Sequence, residues 1–222
     1  MYIPRSFAES DRDALHGFME RHPLGALVTA SSEHGFYATH LPLLLDRERG
    51  AFGVLQGHVA RANPHHEKAA SGESALVIFS GPDAYVTPTW YPSKQEHGKV
   101  VPTWNYIAVH ATGVLRFIDD REFLMAHLDR LTDRHEASQS HPWAMHDAPL
   151  DYLEQLAKAT VGVEIEITAL EGKFKLSQNR SDADVHGVMA GLEASPSAHD
   201  RAVADAMRER ARSTPPAPPP PP

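Results

Sequence analysis

The alternation of apolar and polar residues predicts that strands dominate this chain. Val161, Val163, Ile165 and Ile167 alternate with small or polar residues, which is the period of two expected of a strand with one buried face. The Gly-Pro-Asp sequence at residues 81–83 predicts a tight turn between two strands. Further strands are expected over residues 24–30, 36–45, 51–58, 74–80, 84–87 and 106–118.

Apolar residues spaced three and four positions apart predict helices between and after the strands. Serine followed three residues later by aspartate is the pattern of a capping box, and Ser10, Ser181 and Ser197 each begin one. The last two predict a pair of helices near the C-terminus, and further helices are expected from Asp119 or Asp120 and from about residue 149. The inner faces are expected to carry Leu15, Phe18, Met19, Leu124, Leu128, Leu131, Leu150, Leu153 and Leu156.

The order of these elements predicts the fold class. Many strands interrupted by a few helices, without regular alternation of strand and helix, favour a β-rich α+β fold. Within that class we expect an antiparallel barrel with attached helices and a C-terminal helical pair. The 222 residues, 41% of them apolar, suit one domain over residues 1–212. Residues 213–222 are almost all proline, and we expect a solvated polyproline tail there.

Composition and charge exclude several classes of protein. The absence of cysteine excludes disulfides, thiolate metal sites and cysteine nucleophiles. The net charge of −8 disfavours a protein that binds nucleic acid by itself, because phosphate contacts need clustered lysine and arginine. The first residues lack the apolar segment of a signal peptide, and no apolar run is long enough to span a bilayer. We therefore expect a cytoplasmic protein that does not enter the membrane.

The first candidate site is the stretch from His58 to Glu67, where a strand ends and a short helix begins. Asn63 can cap that helix, and Pro64 suits its first position. A helix start beside Arg61 offers free amides and positive charge to an anion, whereas the alternative is an ordinary capped turn. The adjacent histidines at 65 and 66 would project about 100° apart on a helix and would chelate one ion poorly, so no metal site is expected.

The second candidate lies between residues 87 and 106, where two Pro-Thr-Trp tripeptides flank a polar loop. Proline limits the conformational freedom of a loop that must hold one shape. The flat side chains here can stack on a conjugated ring, close the end of a barrel or form an interface with another subunit, and the sequence leaves these alternatives open. The residues concerned are Thr87, Trp90, Tyr91, Trp104 and Asn105.

The third candidate is the polar stretch from Gly172 to Arg180, which ends a strand and precedes a capped helix. Lys175, Gln178 and Asn179, together with Arg180, can bind an anion or the polar edge of a ring. The alternative is a solvated connector. The chain has no GxSxG, GxGxxG or GxxxxGK[ST] sequence, so the common serine-hydrolase, dinucleotide and P-loop templates gain no support.

Five motifs in these regions occur together in a known family. They are MYIPRSF, GHVARANPH, SGPDAYVTPTWYPSK, VPTWNYIAVHATG and KFKLSQNRSDAD, and they extend over about residues 1–207. With them the chain resembles the PaiB-type proteins, which are described as FMN-binding negative transcriptional regulators. The resemblance implies an FMN-binding split barrel with Greek-key-like connections, related in fold to pyridoxamine-phosphate oxidases and flavin reductases. It also implies a homodimer with flavin in a groove at the subunit interface.

A flavin bound in this way would need both cations and flat walls. The turn at Arg61 can supply a guanidinium and free amides to the flavin phosphate. Aromatic side chains of the second candidate can wall the isoalloxazine ring, and amides of the second and third candidates can meet its polar edge. The expected cofactor-binding residues are His58, Arg61, Asn63, Thr87, Trp90, Tyr91, Trp104, Asn105, Lys175, Gln178, Asn179 and Arg180.

The resemblance favours a regulator, and the charges favour one that acts without strong DNA contact of its own. Residues 172–212 carry seven lysines and arginines against six acidic residues, which is a poor composition for a DNA-reading helix pair. The sequence shows no committed acid–base pair or nucleophile. A flavin-dependent oxidoreductase acting on a small molecule is the alternative function, and a dimeric scaffold that has lost its flavin is a third.

Overall fold

A computed structural model describes residues 1–31 and 35–213, and its contacts divide the chain into two compact units. The terminal unit comprises Met1–Glu9, Ser80–Ala108 and residues 172–213, and the central unit comprises Ser10–Phe79 and Val109–Glu171. The single domain expected over residues 1–212 stays a prediction. Of the expected proline tail, Ser213 ends the last helix and residues 214–222 lie outside the described residues.

Eight strands form one sheet in the described part of the chain, in the order β3-β2-β6-β7-β8-β5-β4, with β1 paired to β8. The pairs β2–β3, β2–β6, β4–β5, β5–β8 and β1–β8 are antiparallel, so the expected β-rich α+β class is confirmed. The strands are β1 Ala8–Glu9, β2 Leu24–Ser31, β3 Gly35–Pro42, β4 Leu44–Asp46, β5 Val54–Ala60, β6 Ser74–Val86, β7 Thr103–Ile118 and β8 Thr160–Lys175. The helices are α1 Arg12–Arg21, α2 His65–Lys68, α3 Ser93–His97, α4 Arg121–Glu136, α5 Leu150–Lys158, α6 Asp182–Glu193 and α7 Ala198–Ser213.

Strand β6 runs without a break through the Gly-Pro-Asp sequence, so the turn predicted at residues 81–83 is wrong. Turn residues express only a local preference, and pairing within a sheet can override it. The amide of Asp83 donates to the imidazole of His199 on α7 (3.2 Å), which gives this backbone group a partner without a turn. The single strand expected over residues 36–45 is instead divided into β3 and β4 after Pro42.

Most of the expected helix caps are present. Asp120 caps α4 by accepting a hydrogen bond from the amide of residue 123 (2.8 Å), and Ser181 and Ser197 accept from the amides three residues ahead of them (3.3 and 3.4 Å). The first helix differs, because Asp11 rather than Ser10 is its cap. The Asp11 carboxylate accepts from the amides of residues 13 and 14 (2.8 and 3.0 Å), and its negative charge also suits a helix N-terminus.

The core of the central unit follows the apolar patterns closely on the strands and less closely on α5. The alternating valines and isoleucines of β8 are at most 3% exposed, and so are the three expected core residues of α1. Of the three leucines expected to face inward on α5, only Leu153 is buried, whereas Leu150 and Leu156 are 61% and 46% exposed. Residues three apart on a helix drift by about 60°, so three such leucines span a face wider than this helix buries.

In the terminal unit, Trp90 packs directly against two glycines of α6. A Cβ atom at Gly187 would lie 2.1 Å from the carbonyl oxygen of Trp90, and one at Gly191 would lie 2.4 Å from the indole ring. Real Cβ contacts do not come this close, so both positions need a residue without a side chain. Helix α6 can therefore approach the 3₁₀ turn Pro88–Trp90 this closely only because both residues are glycine.

We expect Gly187→Ala to lower the melting temperature and Gly17→Ala to raise it. Alanine in a helix interior gains about 0.5–1 kcal/mol over glycine, and at Gly17 the nearest atom is Nη1 of Arg21 (3.2 Å), the end of a flexible side chain. At Gly187 the overpacking cost of about 1–3 kcal/mol outweighs that gain. Thermal unfolding followed by circular dichroism measures both. A Gly187→Ala protein that melts at or above the wild-type temperature would contradict the close packing of α6 against Trp90.

Candidate functional site

Arg61 directly follows β5 in the central unit, and its guanidinium is held by the protein itself. Nε donates to the carbonyl of Lys158 (2.8 Å), and Nη2 donates to the carbonyl of Thr160 (3.0 Å). Nη1 and Nη2 also donate hydrogen bonds to the carboxylate of Asp119 (3.0 and 2.5 Å), and this ion pair lowers the pKa of Asp119. Four of five N–H donors are thus engaged, and one on Nη1 is left for a ligand.

Asn63 caps the next helix as expected, although from one residue further out. Helix α2 begins at His65 with Pro64 as its N-cap, and the Asn63 side chain accepts a hydrogen bond from the amide of His65 (3.0 Å). The His65 ring is fully buried between the hydroxyls of Thr39 (2.8 Å) and Thr29 (2.9 Å), and burial lowers its pKa. His65 therefore braces the turn, with both ring nitrogens already partnered.

The same turn carries two basic side chains that the sequence analysis did not assign to the site. Lys68 Nζ lies 4.7 Å from the centroid of the Tyr37 ring and makes no ion pair within the described residues. His66 Nδ1 lies 2.7 Å from the carbonyl oxygen of Asn63, so Nδ1–H donates and Nε2 is left for a ligand. The His66 ring lies 6.2 Å from that of Phe117. Basic side chains beside flat rings fit a phosphate attached to a conjugated ring system. In the sequence, the run of basic residues directly after Pro64 is the feature that could have indicated them.

The side chain of His58 forms a hydrogen bond with a second histidine, His127. Its Nδ1 lies 3.1 Å from Nε2 of His127 on α4, and the His127 ring is fully buried in a stack with Phe123. His127 Nδ1 has no hydrogen-bond partner in the described residues. Burial lowers the pKa of His127 to about 4, with the charges of His58 and Arg130 adding to the effect, and burial also lowers the pKa of His58. The pair is therefore neutral at physiological pH.

In the terminal unit, Thr87 and Trp90 of the second candidate hold the local backbone together. The Thr87 hydroxyl accepts a hydrogen bond from the amide of Thr89 (3.3 Å) and so caps the 3₁₀ turn Pro88–Trp90. Trp90 rests on the two α6 glycines described above. Both residues thus have a structural role, and their expected contact with a flavin stays a prediction.

Tyr91 and Trp104 differ sharply in their exposure. Tyr91 is 2% exposed, and the Arg180 guanidinium lies 5.0 Å from the centroid of its ring. Burial raises the pKa of its hydroxyl, and that hydroxyl lacks a well-aligned hydrogen-bond partner in the part of the chain that the structure describes. Trp104 is 54% exposed and meets Tyr85 edge-on, with 6.0 Å between ring centroids. Trp104 therefore has an accessible ring for a ligand or a second subunit.

Two amides expected to meet the flavin edge, those of Asn105 and Gln178, hold the loop at residues 176–180 in place, and their contact with a flavin stays a prediction. The Asn105 side chain is fully buried and donates to the hydroxyl of Ser177 (3.0 Å), whose φ of 67° is in the left-handed region. Gln178 accepts from the amide of Leu176 (2.7 Å) and donates to the carbonyl of Phe174. Both side chains therefore satisfy the backbone and side chains of their own unit.

Lys175 and Lys173 lie on one face of β8, two residues apart. Lys175 Nζ donates to the hydroxyl of Thr103 (2.6 Å) and to the carbonyl of Trp104. Burial lowers the pKa of Lys175, and the positive charges of Lys173 and Arg180 lower it further. Lys173, which is 8% exposed, is not among the expected site residues, although the alternation of a strand already places it on the same face as Lys175.

The twelve expected cofactor-binding residues fall into both units. His58, Arg61 and Asn63 lie in the central unit, and the other nine lie in the terminal unit. Their gathering around one flavin stays a prediction. Groups of three or more histidine, aspartate or glutamate side chains able to hold a metal are absent from residues 1–31 and 35–213. Over the same residues, none of the helices has the length and apolar character needed to cross a membrane.

We expect acid to weaken the folded state through His127. Because the pKa of His127 lies below its ordinary value of 6.5, the neutral pair stabilises the fold above that pH, and this stability is lost as the pH falls toward about 4. The free energy of unfolding should drop by roughly 1–3 kcal/mol over that range. His127→Phe keeps a ring against Phe123 and should flatten this dependence, whereas His135→Gln, on an exposed residue of the same helix, should not. Urea titrations between pH 7 and 4 measure it, and parallel curves for His127→Phe and wild type would contradict the assignment.

Comparison with known proteins agrees with this picture of the chain. A family model described as "Putative FMN-binding domain" matches residues 1–169. An uncharacterized protein of Emericella nidulans is 34% identical over 95% of this chain and 97% of its own. The protease synthase and sporulation protein PAI 2 of Bacillus subtilis is 30% identical over 95% of this chain and 98% of its own.

Two solved structures share the fold. The FAD and heme binding protein from Mycobacterium smegmatis has a TM-score of 0.55 and 18% identity, covering 81% of this chain and 78% of its own. The flavocytochrome Anf3 from Azotobacter vinelandii has a TM-score of 0.56 and 13% identity, covering 83% and 78%. The split-barrel fold, the PaiB-like resemblance and FMN as the cofactor are thereby confirmed. The chain belongs to the FMN-binding split-barrel family that includes the PAI 2 protein.

Proposed function

We propose that this protein is a cytoplasmic, homodimeric FMN-binding regulator that lowers the expression of its target genes without reading DNA itself. The Bacillus subtilis relative is named for protease synthesis and sporulation, and the proposal carries a regulatory link of this kind to the present chain. FMN, when bound, supplies reversible one- and two-electron redox chemistry, so the bound state can report on flavin supply or redox poise. The protein's own residues determine how tightly FMN is bound.

The observation that carries the proposal is the fit of the Arg61–Lys68 turn to a flavin phosphate. Lys68 offers N–H donors without an ion pair in the described residues, and Arg61 keeps one N–H beyond its internal bonds. His66 adds a donor at Nε2 in its doubly protonated form, since its Nδ1–H is engaged by Asn63. Tyr37 and Phe117 add flat faces beside these cations. In this proposal the three basic residues hold the phosphate, and the aromatic side chains wall the ring system.

The arginines of the C-terminal helices support an indirect mode of regulation. Arg208 pairs with Asp205 (2.6 Å) and with Glu193, and the guanidinium of Arg201 donates to the carbonyl of Ser195 (2.7 Å). Residues that neutralise phosphates must present charges not already neutralised by the protein. Arg208 and Arg210 of α7 are thus paired with carboxylates whereas Arg201 keeps its charge, so only part of the positive charge of this helix is available to a DNA backbone.

Exposed apolar side chains support the homodimer. Within the terminal unit, Trp104, Val101 and Tyr85 are 54%, 64% and 48% exposed. Aromatic and branched apolar residues exposed in one region are typical of a surface that another subunit covers. A flavin-dependent oxidoreductase stays the second candidate. Lys173 and Lys175, which make no ion pair within residues 1–31 and 35–213, favour it because a small anionic substrate would complement them.

Arg61→Ala should weaken FMN binding by about tenfold or more, because a charged hydrogen bond to the phosphate is lost. Riboflavin has no phosphate, so its affinity should change much less. Asp119→Asn removes the carboxylate that competes for Arg61 and should leave FMN affinity unchanged or raise it. Flavin fluorescence titrations of both ligands against the three proteins measure this. Equal losses for FMN and riboflavin, or equal losses in both variants, would assign Arg61 a purely structural role.

The whole proposal is tested by combining a spectrum, a mass and a DNA titration on the freshly purified protein. We expect bands of oxidised flavin, twice the mass of one chain by light scattering, and no nanomolar duplex binding at physiological salt. In the source cell, a chromosomal His66→Ala, Lys68→Ala double variant should raise the same transcripts as deletion does. Normal repression by a flavin-free variant would reject the flavin-dependent mechanism, and tight salt-sensitive DNA binding would reject the indirect one.

A further inference from the structure

Three cations of the terminal unit, Lys173, Lys175 and Arg180, lie close together in the sequence and lack an ion pair within the described residues. They act on one another, because the charges of Lys173 and Arg180 both disfavour the protonated form of Lys175. The carboxylate of Asp184 is near enough to Arg180 for the arginine's charge to lower its pKa, but its hydrogen bonds come from the amide (3.1 Å) and hydroxyl (2.8 Å) of Ser93. Clustered positive charge of this kind, partly removed from water, costs free energy unless an anion joins it.

Each of the three cations lies against a different aromatic ring. Nζ of Lys173 is 5.1 Å from the centroid of Tyr106, Nζ of Lys175 is 5.8 Å from that of Phe7, and Cζ of Arg180 is 5.0 Å from that of Tyr91. Aromatic faces stabilise these cations in part and also offer planar apolar surface. The surroundings therefore suit a ligand that is both anionic and flat.

Two further features define the ligand. Lys173 is more than nine-tenths buried, so its charge acts in a medium of low polarity where attraction to an anion is strong. Lys175 already donates to Thr103 and Trp104, which leaves it one N–H for a ligand. An aromatic carboxylate combines the anion that these cations lack with the planar apolar surface that the neighbouring rings can contact. The Tyr91 hydroxyl, buried without a well-aligned partner in the described chain, is a further polar group that a bound ligand would satisfy.

The family model for the FMN-binding domain ends at residue 169, before any of the three cations. We propose that Lys173, Lys175 and Arg180 form a second ligand site, which binds a small aromatic carboxylate as the effector or substrate of the flavoprotein. Lys175 and Arg180 are among the residues expected to contact the flavin, and the proposal assigns them, together with Lys173, to a second ligand instead. This inference goes beyond flavin binding, and it holds for either of the two functions considered above.

The probe is benzoate, titrated calorimetrically into the FMN-saturated protein, with benzamide and inorganic phosphate in parallel. We expect benzoate to bind and benzamide, its neutral analogue, to bind at least about tenfold more weakly. Lys173→Met keeps the length and apolar character of the side chain and should weaken benzoate by a similar factor. Lys99→Met removes an exposed charge from the same unit and should leave benzoate binding within about twofold of wild type.

Proton uptake gives an independent readout. A bound carboxylate raises the lowered pKa of Lys175, so binding at alkaline pH should take up protons and weaken as the pH rises. Titrations in buffers of different ionisation enthalpy measure this uptake. Lys175→Met should abolish it, and this second variant keeps the test open if Lys173→Met fails to fold.

The outcomes separate the second site from the flavin site. Failure of benzoate to bind, equal binding of benzamide, or equal weakening by Lys99→Met would overturn the proposal. Binding of inorganic phosphate in place of benzoate would overturn the aromatic class of ligand. If benzoate displaces FMN, or if Lys173→Met releases FMN from the protein, the cluster holds the flavin itself and the second site does not exist. Loss of benzoate binding with FMN absorption retained is the result expected of two sites.

Discussion

The cost of burying a polar group without a partner organises both units of this protein. Most of the buried polar side chains have such a partner: His65 lies between two threonine hydroxyls, Asn105 bonds Ser177, and Glu164 accepts from Arg49 (2.7 Å) and Gln56 (2.9 Å). Each unmade bond would cost about 1–3 kcal/mol, a large share of the stability of a domain of this size. The few buried polar groups left without partners therefore stand out as candidates for function.

This constraint divides the residues of the candidate sites into two classes. Gln178 and Thr87, like Asn105, make the hydrogen bonds that hold turns in place, so their substitution would disturb the fold as well as any ligand. Lys68 and Lys173 instead rest on aromatic rings with no counter-charge in the described residues. Cations held in this way are already oriented and partly desolvated, so an incoming anion gains their attraction at little further cost.

A combination of cations and aromatic rings recurs, with different geometry, in each unit. In the central unit it follows the end of β5 and lies within the residues matched by the FMN-binding family. In the terminal unit it lies on β8 and the loop that follows, beyond that match. A flavoprotein that responds to a second small molecule needs two such places, whether it uses the response for regulation or for catalysis.

The sequence by itself determined the type of most elements and the family. Alternation in β8 and the capping serines of α6 and α7 depend on interactions within a few residues, and such interactions can be read from a short stretch of chain. The motifs such as VPTWNY and KLSQNR identified the family, and membership of that family indicates FMN as the cofactor.

Only the tertiary structure decided which side chains remain available for a ligand. Asp119 is 58 residues from Arg61 and His127 is 69 residues from His58, and no local pattern signals either pairing. The same holds for the turn at residues 81–83, which pairing in the sheet replaced with continuous strand. A residue type states what a side chain can bond, whereas its partner is set by chain segments that come together only on folding, so the sequence could name candidate side chains but not the bonds that already occupy them.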